Sequence, residues 1–547
     1  MRLLSLRPHG RLILAPGALL VGVFGLAACG DDPALSGGGG SWNEGGQGGT
    51  GGTQSTGATG GGGSSEILWT PCPITTDGPG AEAECAVLDV PADWSAPDGP
   101  TVSFAVKRVL ATAQPALAQI WFLQGGPGGS VVDFEPTVEY LHAFDGTLDL
   151  YMPEHRGVGL SSRLSCPTEE SAESDGGYAI TPAERPACLD YLQATWGDRL
   201  AGFTTENAAH DLGETIGKLR EPDDAVFVYG ISYGSHWGNR YLQLYPDQAS
   251  GVSLAALAVN YNFTGIDKDF NDLGQRFFQA CADDPFCVGK LGPDPWARMS
   301  ALMAALDEGH CPEAQALGVD RALVRQLSAL LLYGWDDRTI IPPLVYRLER
   351  CDASDINAIA FLVDTLIQGN EAPPTASERY ASSLLGDHIG LSEMWRAPFP
   401  STQEIESFTA SANVSLDAVS DFSSLYDLWP RYTANPELAG DVAQTSIPIL
   451  LQMGALDFIT SEDYQPVVDG LSGPFQNFVE YPLATHDPWS AVSSDGGACG
   501  LIDFYSFVLD PMATPQAACL EDVVPIDFAV DPLYANAYLG VADAWEG

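Results

Sequence analysis

The residue type best placed for chemistry is Ser232, in the stretch Val228 to Gly238 that reads VYGISYGSHWG. A serine hydroxyl attacks a carbonyl carbon only when a base takes its proton and a third group orients that base. Gly230 and Gly234 flank Ser232 in Gly-x-Ser-x-Gly spacing, which lets a serine sit on a sharp strand-to-helix turn. In a chain with 59 glycines such a pentapeptide also arises by chance, so its surroundings decide. AVFVYG, Ala225 to Gly230, is short, β-branched and closed by glycine, which predicts a strand. SHWGNRYLQLYP, Ser235 to Pro246, is amphipathic and predicts a helix. A helix beginning directly after the serine lends positive potential to an oxyanion, with the Tyr233 N–H as one donor.

The base and the acid must come from later in the chain. Beyond His236, inside the elbow itself, the downstream histidines are His310, His388 and His486. The first two fall in a helix-rich stretch. His486, in YPLATHDPW, follows the strand-like NFVEYP (Asn477 to Pro482), as a loop base must. Asp457 stands just past SIPILLQMG (Ser446 to Gly454), so the order is serine, acid, histidine. Asp487 adjoins the histidine and is expected to point elsewhere. A second oxyanion donor is sought in LQGGPGGS, Leu123 to Ser130, where Gly125, Gly126 and Pro127 follow the strand-like ALAQIWFL and glycine lets main-chain amides approach a substrate.

The elements that position these residues alternate. ALAQIWFL, LDLYM (Leu148 to Met152), AVFVYG, SIPILLQMG and NFVEYP read as buried strands. TTENAAHDLGETIGKLR, Thr204 to Arg220, and SHWGNRYLQLYP read as the helices between them. Alternating strand and helix predicts an α/β domain on a mainly parallel sheet. The alternation stops between about Phe263 and Asp441, where RALVRQLSALLLYGW and its neighbours have helical periodicity. This block reads as a cap over the strands' C-terminal edge. DKDFND, Asp267 to Asp272, starts like a calcium loop but has Asp272 where the turn requires glycine, so it is set aside.

Charge and cysteines bound the setting. The chain carries 72 acidic and 24 basic residues, a formal net charge of −48, and only Lys107, Lys218, Lys268 and Lys290 as lysines. Such a field repels nucleic acid and anionic lipid surfaces. Arg2, Arg7 and Arg11 precede a short apolar run ending in Leu26-Ala27-Ala28-Cys29, which resembles a bacterial lipobox with Cys29 as the lipidated residue. Residues 30–65, rich in glycine and serine, read as a disordered tether reaching roughly 30 Å. Eleven cysteines less Cys29 leave ten, an even set suited to an oxidising envelope compartment. Neighbour pairing would join Cys72 to Cys85, Cys166 to Cys188, Cys281 to Cys287, Cys311 to Cys351, and Cys499 to Cys519. No Cys-x-x-Cys spacing calls for structural zinc. The expected organisation is a leader over 1–29, the tether over 30–65, core over 66–262, cap over 263–440, and core with a cysteine-bearing end over 441–547.

Taken together, GGPGG, EHRGVGLSS (Glu154 to Ser162), GISYGSHWGNRYLQLYP, GALDFIT and THD resemble the α/β-hydrolase peptidases of the proline iminopeptidase type, and more closely the secreted tripeptidyl-aminopeptidase branch. Its opening is echoed by ECAVLDVPADWSAPDG (Glu84 to Gly99), a cap segment by LLYGWDDRTIIPPLVYRLERCD (Leu331 to Asp352), and its C-terminal region by CGLIDFYSFVLDPMATPQAAC (Cys499 to Cys519). The resemblance covers about residues 66 to 525. It implies an α/β-hydrolase fold with Ser232 as nucleophile, Asp457 as acid and His486 as base. Gly126 and Tyr233 become the oxyanion donors, and Arg156 a brace beneath the loops. Gln124 stands where the family usually has histidine, Glu154 where it has aspartate, and Asp487 where it has glycine. DHIGLSEMW (Asp387 to Trp395) resembles a cap element, and Asp387 and Glu393 become candidates for gripping a substrate's free amino terminus. The expected activity is release of short N-terminal pieces from peptides by a membrane-anchored monomer of the bacterial envelope, without metal or cofactor. An esterase or lipase on the same scaffold is the alternative, and a non-catalytic binding protein the more distant one.

Overall fold

The computed structural model describes residues 4–6, 12–14, 67–371, 374–515 and 519–546. Leu4–Leu6 and Leu12–Leu14 pair antiparallel. The rest of the leader, Cys29 and the tether lie outside the described residues.

Nine strands form the main sheet: β1 Thr70–Cys72, β2 Ala83–Pro91, β3 Thr101–Val109, β4 Ala118–Leu123, β5 Leu148–Glu154, β6 Val226–Ile231, β7 Gly251–Ala255, β8 Ile449–Gly454 and β9 Gln476–Tyr481. Their spatial order is β9-β8-β7-β6-β4-β5-β3-β2-β1. From β9 to β5 every pairing is parallel, whereas β3, β2 and β1 add on antiparallel. Strands β4, β6, β7 and β8 are buried along their whole length, as a parallel sheet covered on both faces requires.

Alternate side chains feed two cores. Trp121, Leu123, Val228 and Leu254 pack with Leu212, Ile216, Trp237 and Tyr241 of helices Thr205–Leu219 and Tyr233–Leu244. Ile120, Phe122, Phe227 and Tyr229 pack with Val138 and Leu141 of helix Glu135–Phe144 and with Phe504 and Phe507 of helix Cys499–Leu509. Each such side chain taken from water contributes about 1.5–3 kcal/mol. The described residues between β7 and β8 contain helices and no strand, from Ile266–Asp283 through Ala418–Leu425. Their apolar faces join the first core. All five neighbouring cysteine pairs are disulfides.

Register sets the site. Leu123 pairs with Gly230, Ile231 with Ala255, Ala255 with Gln452, and Gly454 with Tyr481. The loops leaving β4, β6, β8 and β9 therefore emerge together at the carboxyl edge, where open parallel sheets bind their ligands.

Candidate active site

Ser232 follows β6 directly and precedes helix Tyr233–Leu244. Its φ of 56° and ψ of −127° place a non-glycine residue in a strained region costing about 1–3 kcal/mol. The surroundings hold it there. Its N–H donates to the Ala255 carbonyl at 2.9 Å, and its own carbonyl accepts from the Ser235 amide at 2.8 Å and the Ser235 hydroxyl at 2.6 Å. Both flanking glycines are required by close main-chain approach. A Cβ on Gly230 would meet the Gly234 carbonyl oxygen at 2.2 Å, and one on Gly234 would meet the Leu123 carbonyl oxygen at 2.2 Å.

Asp457 lies in the loop after β8 and His486 in the loop after β9. Nδ1 of His486 is 2.9 Å and 3.0 Å from the two carboxylate oxygens of Asp457. A carboxylate only accepts, so Nδ1 carries the proton and Nε2 keeps the lone pair. Asp457 is completely buried, and its Oδ1 also accepts from the Ile459 N–H at 2.9 Å. Gly454 allows the two loops to touch, because a Cβ there would meet the Thr485 carbonyl oxygen at 2.0 Å. Phe458 stacks on the imidazole at 4.6 Å and Tyr333 meets it edge-on at 5.6 Å. Burial and the Asp457 charge push the Tyr333 phenol well up, keeping it neutral.

The glycine loop after β4 completes the approach. Gly126 (φ +113°) and Gly128 (φ +97°) take backbone conformations that favour glycine. Gln124 pins the loop's start: its Oε1 accepts from the Gly125 N–H at 2.7 Å, and its Nε2 donates to Asp133 at 2.9 Å. The Gly129 N–H closes the turn on the Gly125 carbonyl at 3.0 Å, and Pro127 packs against Gly386. Glu154 accepts from the Ser130 hydroxyl and the Val131 N–H, and burial pushes its carboxyl up to about 8. Arg156 is fully buried and donates to both Asp211 oxygens at 2.7 Å and to the carbonyls of Pro91, Ala92 and Gly202. It ties the loop after β5 to helix Thr205–Leu219 and the end of β2. Asp487 points away from the Asp457 contact and caps a short turn by accepting from the Trp489 N–H. Burial pushes its carboxyl up to about 6.

Ser232, Tyr233, Gly126 and His486 line one narrow cleft. Apolar and aromatic side chains make up the rest of its wall, among them Tyr261, Phe263, Ile266, Met394 and Phe458. Two proposed substrate contacts require correction. Asp387 is only 4% exposed and is spent in an ion pair with Arg185. Glu393 adjoins Met394, but its carboxylate turns from the cleft to accept from the Thr205 N–H at 3.0 Å and the Tyr432 hydroxyl, with His236 at 3.4 Å and Arg240 at 4.0 Å. Burial alone would raise its pKa, yet these partners hold it down to about 2. It is a buried structural hub with its acceptor sites already engaged. Among the described residues no cluster of histidine, cysteine or carboxylate side chains is suited to a metal ion.

A hydroxyl on a strained elbow and an imidazole oriented by a buried carboxylate, on one largely apolar cleft lined also by Gly126 and Tyr233, are parts that acyl transfer needs. Sequence reasoning missed Tyr333 and Phe458, which clasp the imidazole. Phe458 was visible as the neighbour of Asp457 in GALDF, and Tyr333 sits in the LLYGW motif.

Residues 120–289 match the family model described as alpha/beta hydrolase fold. Tripeptidyl aminopeptidase of Streptomyces lividans is 31% identical over 180 residues, 30% of this chain and 33% of the relative. Serine protease Hip1 of Mycobacterium tuberculosis is 28% identical over 269 residues, 44% of this chain and 49% of the relative. The match thus spans about a third of the first relative's length and about half of the second's. A solved structure, proline iminopeptidase of Mycobacterium smegmatis, superposes with a TM-score of 0.28 at 13% identity over 77% of this chain and 95% of that one. The chain carries an alpha/beta hydrolase fold: a mostly parallel sheet flanked by helices, with a helical region after the first seven strands.

Proposed function

We propose that this alpha/beta-hydrolase-fold chain is a serine peptidase that releases short pieces from the free amino terminus of peptides. Ser232 is the nucleophile, His486 the general base and then acid, and Asp457 the group that orients the imidazole. The main-chain N–H groups of Gly126 and Tyr233 receive the oxyanion. The observation that carries the reading is the pairing of His486 Nδ1 with both oxygens of buried Asp457, beside the cleft onto which strained Ser232 opens.

The steps follow from these atoms. Oγ of Ser232 attacks the scissile carbonyl as its proton passes to Nε2 of His486. The imidazolium is stabilised by the Asp457 carboxylate, and the tetrahedral oxygen by the two amides. His486 then protonates the leaving amine, which departs with the C-terminal part of the peptide. Water, deprotonated by the same nitrogen, hydrolyses the acyl-enzyme and frees Ser232.

The tripeptidyl aminopeptidase and serine protease relatives support the peptidase class, and the net charge of −48 draws a cationic amino terminus. Cys29 as a lipid-bearing residue would hold the protein, as a monomer, at the cell envelope on its tether. No helix among the described residues is long and apolar enough to cross a membrane.

The test compares a chromogenic tripeptide bearing a free amine with its N-acetylated form and with a butyrate ester. The free-amine peptide is cleaved much faster than the acetylated one, and S232A cleaves neither. Indifference to acetylation, or turnover of the ester alone, contradicts the aminopeptidase assignment.

A further inference from the structure

Three of the four loops around the cleft are bonded to the helical region as well as to the core. Arg276, on helix Ile266–Asp283, donates from Nη1 to the Ala455 carbonyl at 2.6 Å and from Nη2 to the carbonyl of Asp457 itself. Arg338, in the short helix Asp337–Ile340, is 1% exposed and donates from Nη1 to the Leu483 carbonyl at 2.6 Å, three residues before His486. Its Nε donates to the Trp335 carbonyl at 2.8 Å, and its guanidinium lies 4.5 Å above the Trp335 ring. On the glycine loop, the Gly128 carbonyl accepts from the Ser382 N–H at 2.8 Å. The Ser232 elbow differs, since its main-chain bonds go to Ala255 and Ser235 of the core.

The cleft is also nearly closed. Ser232 and His486 are each 4% exposed, and the apolar wall around them is buried. A shift of the helical region, which supplies Ile266, Tyr333 and Met394 to the wall, would widen the cleft. That same shift must pull on whatever the two arginines hold. Each is a charge-assisted contact to a main-chain carbonyl, the stronger class of hydrogen bond.

We propose that Arg276 and Arg338 are positioning residues through which the seating of the helical region on the core sets the Asp457–His486 pair. Admission of substrate and assembly of the proton relay are then one coupled event. The inference rests on the catalytic reading of Ser232, His486 and Asp457. Arg276 reaches two carbonyls two residues apart with its planar fork, which a lysine ammonium cannot reproduce.

The test uses the whole protein and two readouts: the rate at which a fluorophosphonate labels Ser232, and the downfield proton resonance of His486 Nδ1–H. R276M is expected to label roughly 10- to 100-fold more slowly, as small displacements of catalytic groups do, and to lose the resonance. R276K is expected to fall between R276M and wild type. The control is R298M, which removes an arginine bonded to Glu349 and the Lys290 carbonyl within the helical region. It keeps the wild-type rate and resonance. The inference is overturned if R276M and R276K keep the resonance and label at the wild-type rate or faster, or if R298M slows as much as R276M. Wild-type protein that does not label overturns the catalytic reading instead, and the resonance in R276K still reports whether the arginine positions the pair.

Discussion

Replacing Gly234 by alanine tests whether the elbow is as tightly built as its geometry implies. The new Cβ would stand 2.2 Å from the Leu123 carbonyl oxygen, 2.9 Å from the Leu123 carbonyl carbon and 3.1 Å from the Gln124 carbonyl oxygen. All three are main-chain atoms at the end of a buried strand, so no side chain can swing aside. Reaching an ordinary carbon–oxygen contact of about 3.3 Å requires helix and strand to part by about 1 Å. The overlap should cost about 1–3 kcal/mol of stability, as overpacking in a dense core does. Because the proposed oxyanion donors sit one residue before Gly234 and three residues after Leu123, the same movement spreads them. A 1 Å error in such a constellation costs about a hundredfold in rate, or about 2.7 kcal/mol of transition-state stabilisation. The assay is kcat and KM on the free-amine chromogenic tripeptide, with urea melts of the same samples. G217A is the control: its Cβ meets only the far end of Gln248 at 3.5 Å, on an exposed helix face. It should gain up to about 1 kcal/mol and leave kcat unchanged. Wild-type kcat in folded G234A would refute the steric reasoning.

Two further outcomes follow from the site. D457N should lower kcat by about 10⁴-fold, the scale known for the equivalent change in trypsin-like enzymes, while the urea midpoint moves little; kcat within tenfold of wild type would remove Asp457 from the relay. Glu154 ties stability to pH. Burial raises its folded pKa to about 8 against an ordinary 4.5, so the unfolded chain releases its proton first and stability falls as pH rises from about 4.5 to about 8. Asp269 and Asp421, each pushed up to about 7 by burial, act in the same direction. E154Q cannot titrate, so its melting temperature relative to wild type should climb across that window and level off above it; a constant difference from pH 5 to 9 would contradict the assignment.

The centre of the site was legible because its signals are local. The strand before Ser232, the helix after it and the two glycines lie within one stretch, and Asp457 and His486 each follow a strand ended by glycine or proline. Short and antiparallel elements were harder. Gly251–Ala255 has only five residues, and β2 and β3 lack the uniform burial that marks the central strands. The carboxylates failed for a different reason. Asp387 and Glu393 are acidic residues in a cap, but only the fold brings them to Arg185, 202 positions away, and to His236, 157 positions away. The partners of Arg276 and Arg338 are likewise main-chain carbonyls about 180 and 145 positions distant, which no spacing rule exposes.

The most direct measurement is to label the folded protein with a fluorophosphonate and map the adduct by tandem mass spectrometry, with excess free-amine tripeptide or its acetylated form as competitor. A single adduct on Ser232, slowed by the free-amine peptide and not by the acetylated one, is the predicted result. An adduct on another residue, no adduct at all, or equal protection by both peptides would contradict a serine peptidase acting at a free amino terminus.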